Sequence, residues 1–242
     1  MSSLDAIVLP NSDVDLPTGL WSDEPEMESD LHLLQIILLL QCLKGLWHDR
    51  NDYYAAGNMT LYYSPAMVKN RDFRGPAFLV AKDVENYPRR SWTVWEEGWK
   101  FPNLIIEILS DTTAKVDRTT KKDLYAELGI EEYFWFDPVS LEFVGHRLIE
   151  AEYQAIEPNN RDYLWSETLE LWLGRSNRQL RYFLPDGQLV LTPEEQCNRM
   201  SSERDRAILT KEQAILRGDQ AVLRGDRLAQ KLRELGIDPD LL

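Results

Sequence analysis

The hydrophobic positions of the chain change period several times, and each change predicts a new element. Residues 27–47 place apolar side chains at positions 33, 36, 37, 40, 43 and 47, which is the spacing of one helix face, and Ser29 precedes them as an N-cap. The segments DYYAAGNMTLYYSP and GPAFLVAKDV follow, each short, β-prone and bounded by Gly or Pro. They predict two neighbouring strands.

Residues 100–138 predict a strand, a helix and a second strand. In FPNLIIEILS, a period of two puts Asn103, Ile105, Glu107 and Leu109 on one face and the other apolar residues on the opposite face, so both faces of this strand are expected to be covered. The helix runs from about residue 118 to 128 and ends at Gly129, and EEYFWFDP supplies the second strand. This helix is a candidate crossover between the strands.

Beyond residue 138 the pattern becomes a series of short β-like pieces, LEFVGHRL, EYQAI, LRYFL and QLVL, with PDG as a turn. From Thr192 onward the chain is polar and helix-prone, with a seven-residue echo in EQAILRG and DQAVLRG. The echo is compatible with a coiled coil, although Gly218 and Gly225 each cost about 1 kcal/mol inside a helix. The alternative is a lone amphipathic helix on its own domain. We therefore divide the chain into 1–26, 27–191 and 192–242.

Composition and charge narrow the function classes. The chain has 242 residues, of which 43% are hydrophobic, so it can bury one sizeable core. Its net charge of −14 opposes rather than steers the approach of a polyanion. Part of this excess is local, because residues 1–30 contain eight acidic residues and no basic one. The acidic segment 1–26 is expected to begin as a solvated tail.

The cysteines and the apolar runs indicate a compartment. Cys42 and Cys197 have no CxxC spacing, and no secretory signal is evident, so we expect a reducing cytoplasm. The longest apolar run in the leucine-rich segment is Ile36–Leu40, far shorter than the roughly 20 residues of a membrane span. No membrane span is expected.

The strongest chemical signal is Glu107, a carboxylate inside an apolar strand. Burying it costs several kcal/mol unless it is paired, hydrogen-bonded or bound to a metal. Lys121 and Lys122 follow on the next helix, and a strand acid with a nearby lysine is typical of metal-dependent nucleases. The alternative is a partly buried ion pair between Glu107 and Lys121. No GxSxG, P-loop or HExxH motif supports another hydrolase.

Two groups of basic residues could contact nucleic acid. Lys69, Arg71 and Arg74 precede one predicted strand, whereas Arg89 and Arg90 lie beside two tryptophans, Trp92 and Trp95. Such residues can follow a phosphate backbone while the aromatic rings stack on bases. Solvated arginines beside core tryptophans explain the same pattern. The three histidines share no zinc-ligand spacing, so we regard them as structural.

Several motifs together resemble one family. They are MESDLH, RGP at 74–76, SWTVWEEG at 91–98, FPNLIIEILS, the spaced Asp117, Lys121 and Tyr125, and EYFWFDP. In these the chain resembles, from about Met27 to Gly187, the Uma-two family of restriction endonucleases in the PD-(D/E)XK superfamily; the endings TPEE and RELGIDPDLL are similar too. The resemblance implies an α/β fold with a restriction-endonuclease-like mixed sheet flanked by helices, followed by a C-terminal amphipathic helical tail.

The resemblance also implies a Mg²⁺ site with Glu107 as ligand and Lys121 as its electrostatic partner. The chain departs from the family at Ala77 and Asn103, where aspartates are expected. Alanine offers no ligand, and Asn103 is a candidate ligand only through its neutral carbonyl oxygen, so Mg²⁺ binding is expected to be weak or absent. Glu28 is the additional candidate ligand, unless it is simply a first-turn acid of the helix.

Other acids near this site have alternative roles. Asp83 and Asp111 could compensate for Ala77, and Asp111 is the nearer to Glu107 in sequence. Asp117 is best interpreted as a helix cap.

Two functions follow from these residues. The first is a Mg²⁺-dependent DNA endonuclease with a partly degraded metal site. The second is a catalytically inactive protein of the same fold that acts in binding or assembly, with the C-terminal helix as the means of forming a homodimer. DNA is the expected substrate or ligand in the first case. Fold alone does not distinguish the two.

Overall fold

The computed structural model describes residues 16–23, 29–65, 75–110 and 117–236, without the side chains of residues 117 and 118. Two units follow one another along the chain, Met1–Thr192 and Pro193–Leu242. Within the described residues, no helix is long and apolar enough to cross a bilayer.

The described residues contain three α-helices, eleven strands and one π-helical turn at Asp117–Lys121. The helices are α1 (Asp30–Leu46), α2 (Lys122–Glu127) and α3 (Pro193–Glu234). The strands are β1 (Tyr53–Gly57), β2 (Leu61–Tyr62), β3 (Phe78–Lys82), β4 (Trp92–Thr93), β5 (Leu104–Ile108), β6 (Glu132–Phe136), β7 (Phe143–Ile149), β8 (Glu152–Ala155), β9 (Leu164–Ser166), β10 (Leu171–Ser176) and β11 (Gln179–Phe183).

A mixed sheet forms the centre of the first unit. Among the described residues it has six strands in the order β1-β3-β5-β6-β7-β8, and β5 and β6 run parallel while the other neighbours are antiparallel. The chain passes from β5 to β6 through the π-helical turn and α2, so the predicted crossover is confirmed. The fold class is therefore the expected α/β class, with a mixed sheet flanked by helices and a long C-terminal helix.

Two hydrophobic clusters cover the two faces of β5, as its sequence pattern predicts. Leu104, Ile106 and Ile108 face the cluster that contains α1 and the sheet β11-β10-β9. Ile105 and Leu109 face the cluster that contains α2. Glu107 shares the period of Ile105 and therefore projects toward the α2 side.

Helix α1 begins where the sequence predicts. Ser29 has extended backbone geometry, and its hydroxyl accepts a hydrogen bond from the His32 N–H at 3.3 Å. The buried face of α1 differs from the predicted one: Gln35 and Leu39 are buried, whereas Ile37 is exposed. Gln35 tolerates burial because its amide exchanges two hydrogen bonds with the backbone of Leu180 in β11.

The region after Pro138 differs in part from the prediction. Strands β7, β8 and β11 overlap predicted pieces, whereas β9 and β10 were not predicted. QLVL forms an isolated bridge through Leu189 instead of a strand.

Residues 16–23 of the N-terminal segment form hydrogen bonds with the region around β4. In the described part, residues 16–23, the Pro17 carbonyl accepts a hydrogen bond from the Trp95 indole at 2.7 Å, and the Ser22 N–H donates to the Arg90 carbonyl at 2.9 Å. The rest of segment 1–26 lies outside the described residues.

Candidate active site

Glu107 is a buried carboxylate held by donors from three directions. Its residue is 2% exposed. The Ala77 N–H donates to Oε2 at 3.1 Å, and Oε1 accepts from Lys121 Nζ at 3.0 Å and from the Tyr125 hydroxyl at 3.1 Å. Charge-assisted hydrogen bonds of this kind offset the cost of removing a carboxylate from water. The acid in the apolar strand is therefore accommodated by its partners.

The topology of the sheet explains why these groups meet. Strand β3 lies antiparallel to β5 with Phe78 opposite Ile106, so Ala77, one residue before β3, lies next to Glu107. The crossover, formed by the π-helical turn and α2, then covers the face of the sheet toward which Glu107 projects. Lys121 and Tyr125 are four residues apart on it, which puts both side chains on one helix face.

The ion pair between Glu107 and Lys121 is largely shielded from solvent. The side chains are 3% and 13% exposed, and Lys121 Nζ also lies 3.5 Å from the carbonyl oxygen of Gly75. Removing one partner of such a pair leaves a charge without its counter-ion in a place where water is scarce. The geometry brings together the two residues to which the sequence assigned the chemistry, and their catalytic role remains a proposal.

Position 77 is the notable departure at this site. Ala77 is 3% exposed, and its backbone, not its side chain, contacts Glu107. The family pattern implies a carboxylate at this position, whereas the Ala77 methyl group belongs to the hydrophobic cluster on the α1 side of the sheet. The chain has a methyl group there and therefore lacks a second acid at this point.

Asn103 lies elsewhere. Its Oδ1 accepts from the Lys82 N–H at 2.8 Å and its Nδ2 donates to Glu131 at 2.9 Å, so the amide links the ends of neighbouring strands. It precedes Glu107 by four residues on one strand, which is about 13 Å at roughly 3.3 Å per residue. Ligands of one Mg²⁺ ion lie about 2.1 Å from it, so the two side chains do not share an ion in this arrangement.

The two arginines beside the tryptophans have different environments. Arg89 donates to both carboxylate oxygens of Glu97, at 2.6 and 3.0 Å, and its side chain is 3% exposed. Its guanidinium also lies 3.8 Å from the ring centre of Tyr87. A phosphate contact would require Arg89 to leave these partners, and such a contact stays a prediction. Arg90 is exposed, with its guanidinium 4.5 Å from the centre of the Trp21 ring.

Several predicted site residues lie outside the described residues. These are Glu28, Lys69, Arg71, Arg74, Asp111 and the side chain of Asp117. Asp83 is described: it is exposed at the end of β3, with a carboxylate oxygen 3.9 Å from Lys100 Nζ.

Sequence reasoning did not assign a role to Tyr125. This residue is fully buried, and its hydroxyl holds the same carboxylate oxygen as Lys121. The signal was present in the spacing of four between Lys121 and Tyr125, which aligns them on a helix. The contact of the Ala77 N–H had no sequence signal, because any residue except proline supplies that donor.

A second buried carboxylate, Glu132, forms hydrogen bonds that hold the fold together. It accepts from the Ser166 hydroxyl at 2.5 Å, from the backbone N–H groups of Glu167 and Thr168, and from Arg147 at 3.2 Å. These contacts join β6 to the loop after β9. Glu132 therefore stabilises the contact between β6 and this loop, and Arg147 on β7 pairs with its charge.

The described residues can fit a divalent cation only through Glu107. No three histidine, cysteine or acidic residues are grouped closely enough for a metal in the parts of the chain that the structure covers. Mg²⁺ is commonly held by one or two carboxylates while substrate phosphates and water complete its octahedron. One carboxylate therefore fits an ion that is bound together with a phosphate, and fits poorly an ion that is bound by protein alone.

Comparison with known proteins gives a family and a structural relative. The family model described as "Putative restriction endonuclease" (Uma2) matches residues 20–178. A similar solved structure is described as a putative nuclease from Anabaena variabilis ATCC 29413; it is 13% identical, with 60% of this chain and 76% of that chain covered and a TM-score of 0.44. Among curated proteins, none matches the chain.

Proposed function

The chain belongs to the Uma2 family, described as putative restriction endonucleases, and on this basis we propose that it is a Mg²⁺-dependent DNA endonuclease with a partly degraded metal site. The pair of Glu107 and Lys121, 3.0 Å apart at a buried strand beside Ala77, is the observation that supports this proposal. Hydrolysis of a phosphodiester bond requires an oxygen ligand for a cation and a positive charge near the phosphate, and this pair contains both.

Glu107 is the residue that would hold Mg²⁺. A bound divalent cation lowers the pKa of a coordinated water and offsets the negative charge of the phosphate. Ala77 contributes no oxygen from its side chain, so we propose that the affinity for the ion is low until DNA supplies phosphate oxygens. Glu28 stays a predicted further ligand.

The remaining residues of the site have separate tasks. Lys121 provides a fixed ammonium group close to the carboxylate, where a phosphate would be attracted and its developing charge stabilised. Tyr125 fixes the orientation of Glu107 by donating to Oε1, and the Ala77 N–H does the same for Oε2. Such support keeps a ligand in place before the substrate arrives.

DNA binding must overcome the net charge of −14. We propose local contacts from Arg90, which is exposed, and from Arg71 and Arg74 as predicted from the sequence. A cytoplasmic location gives access to DNA, and it agrees with the lack of a disulfide between the described residues Cys42 and Cys197. A second copy of the chain is the other partner that we propose.

A second candidate function is binding without cleavage. One observation favours it: Lys121 already neutralises Glu107 directly, and Ala77 adds no charge, so the pair is balanced without an ion. In that case the fold is retained as a scaffold for assembly.

Incubation of supercoiled plasmid with the purified protein separates the two functions. We expect nicking in Mg²⁺ or Mn²⁺ that EDTA abolishes and that Glu107→Gln and Lys121→Met each lose. Glu127→Gln, an exposed acid on α2, is the matched control and should cleave normally. Absence of cleavage with either ion, in protein that unfolds cooperatively, would support the binding function.

A further inference from the structure

Helix α3 carries large apolar side chains that are exposed. It extends over 42 residues, and none of them is buried. Eight large apolar side chains in the helix are between 48% and 67% exposed. Soluble proteins rarely leave such a continuous surface in water without a partner.

The period of this surface indicates a helical partner. Ile208, Ile215 and Val222 are spaced seven residues apart, and Ala214, Ala221 and Leu228 repeat at the same interval. A straight helix drifts by about 20° per heptad from such a repeat, so a strict period of seven stays in contact only with a helix that supercoils around it. Packing against a flat protein surface favours a period of 3.6 instead.

Two glycines lie in the centre of this face. Gly218 follows Ala214 by four residues and Ile215 by three, and Gly225 has the same relation to the next heptad. A Cβ atom at either position would meet nothing within 4 Å in the isolated chain. Glycine is unfavourable inside a helix, and close approach of a second backbone gives both glycines a role.

We propose that α3 pairs in parallel with α3 of a second copy of this chain, through a seam formed by Ile208, Ala214, Ile215, Ala221, Val222 and Leu228. Small residues in the middle of the seam allow close approach, and the branched side chains at its edge exclude water. Ile208, Ile215, Val222 and Leu228 supply the large exposed apolar side chains of this seam, whereas Leu209, Leu216 and Leu223 lie on the opposite face of α3.

Charge selects a copy of the same helix and its direction. The helix carries nine basic and eight acidic residues, whereas the whole chain has a net charge of −14, so α3 is the part that can meet itself without strong repulsion. Arg217 and Arg224 lie on one flank of the seam, and Asp219 and Asp226 lie on the other. A parallel pair places unlike flanks together, whereas an antiparallel pair would bring arginines against arginines.

The first test is the mass of the full-length protein in solution by light scattering. We expect at least twice the chain mass of 28.2 kDa at micromolar concentration. The double variant Ile215→Glu with Val222→Glu should reduce this to a single chain. Gln213→Glu with Gln220→Glu adds the same charge on the opposite face of α3 and should keep the wild-type mass. A monomeric wild type, or equal behaviour of the two variants, contradicts the proposal.

The second test concerns direction and uses a native side chain. Cys197 is exposed and lies three heptads before Gly218, on the same line of the helix, whereas Cys42 is buried. Mild oxidation should cross-link two chains in a parallel pair, because the two thiols face each other, and Cys197→Ser should abolish the product. An antiparallel pair separates these thiols by tens of Å at about 1.5 Å per residue, so a dimer without cross-linking contradicts the parallel arrangement.

Both tests are independent of DNA cleavage. Failure of self-association would leave the proposed endonuclease in place, and an inactive protein that still pairs would leave the helix seam in place.

Discussion

Lys121 Nζ lies 3.0 Å from Oε1 of Glu107. Glu107 lies on β5, and Lys121 lies on the segment that connects β5 to β6. The carboxylate belongs to the central strand of the described sheet, and the ammonium belongs to the π-helical turn that begins the return over it. The two charges can meet only when the crossover is folded. A change at either residue is therefore expected to affect both stability and the proposed catalysis.

The ion pair should stabilise the fold as a coupled unit. Glu107→Gln leaves a shielded ammonium and Lys121→Met leaves a shielded carboxylate, so each change should lower the free energy of unfolding by about 3 kcal/mol. The double variant should lose less than the sum of both, with a coupling of about 1 to 3 kcal/mol. Urea denaturation of the four proteins measures this coupling.

Glu127→Gln is the reference for that cycle, because Glu127 is an exposed acid on α2 and should change stability by less than about 0.5 kcal/mol. Strict additivity of the two site variants would show that the charges do not interact.

Tyr125→Phe should reduce cleavage more than it reduces stability. The change keeps the ring, whose centre lies 5.4 Å from that of Tyr133, and removes the hydroxyl that fixes Glu107. We expect a loss of about 1 kcal/mol in stability and about a tenfold lower cleavage rate. Steady-state nicking assays at saturating Mg²⁺ give the rate.

Tyr153→Phe is the matched control for this change. Its buried hydroxyl donates to the Ile130 carbonyl at 2.8 Å and does not contact Glu107. It should lose similar stability and keep its cleavage rate. Equal cleavage losses in the two variants would mean that Tyr125 acts through the fold alone.

His146 should make stability depend on pH. Burial and the charge of Lys122 lower its pKa from the usual 6.5 to about 4, and its Nδ1 has no hydrogen-bond partner among the described residues. The unfolded chain takes up this proton below pH 6.5 and the folded chain only near pH 4. The contribution of His146 is therefore complete above pH 6.5 and is lost as the pH falls from 6.5 to 4, by on the order of 2 kcal/mol.

Comparison with His146→Phe isolates this effect, because phenylalanine can maintain the ring stacking on Tyr133 and does not titrate. Urea denaturation at pH 7.5, 6 and 5 should show a steeper decline for the wild type. Parallel pH profiles of the two proteins would contradict this assignment.

The sequence predicted those parts of the site that depend on local pattern. A period of two put Glu107 on a covered strand, and a helix between two strands implied a crossover that brings Lys121 back over it. Both inferences need short-range periodicity and one rule of chain topology. The structure has the two side chains in contact for these reasons.

The contacts of Arg89 and Asn103 could not be predicted, because they depend on residues distant in the sequence. Arg89 next to tryptophans is compatible with a nucleic-acid contact, and it is the bidentate bond to Glu97 that removes it from the surface. Asn103 shares a strand face with Glu107, yet its amide is engaged by Lys82 and Glu131 from the neighbouring strand regions. Strand register decides such contacts, and register is set by the whole sheet.

The most direct test of the account is cleavage of supercoiled DNA by Ala77→Asp, compared with the wild type over a range of Mg²⁺ concentrations. The family pattern implies a metal-binding carboxylate at position 77, and the Ala77 N–H donates to Glu107. We therefore expect the added carboxylate to provide a second ligand, with half-maximal cleavage at about tenfold lower Mg²⁺. Glu142→Asp changes an exposed acid and is the control, which should leave the metal dependence unchanged. A folded Ala77→Asp protein with unchanged metal dependence would contradict the claim that position 77 is where this metal centre lost an acid.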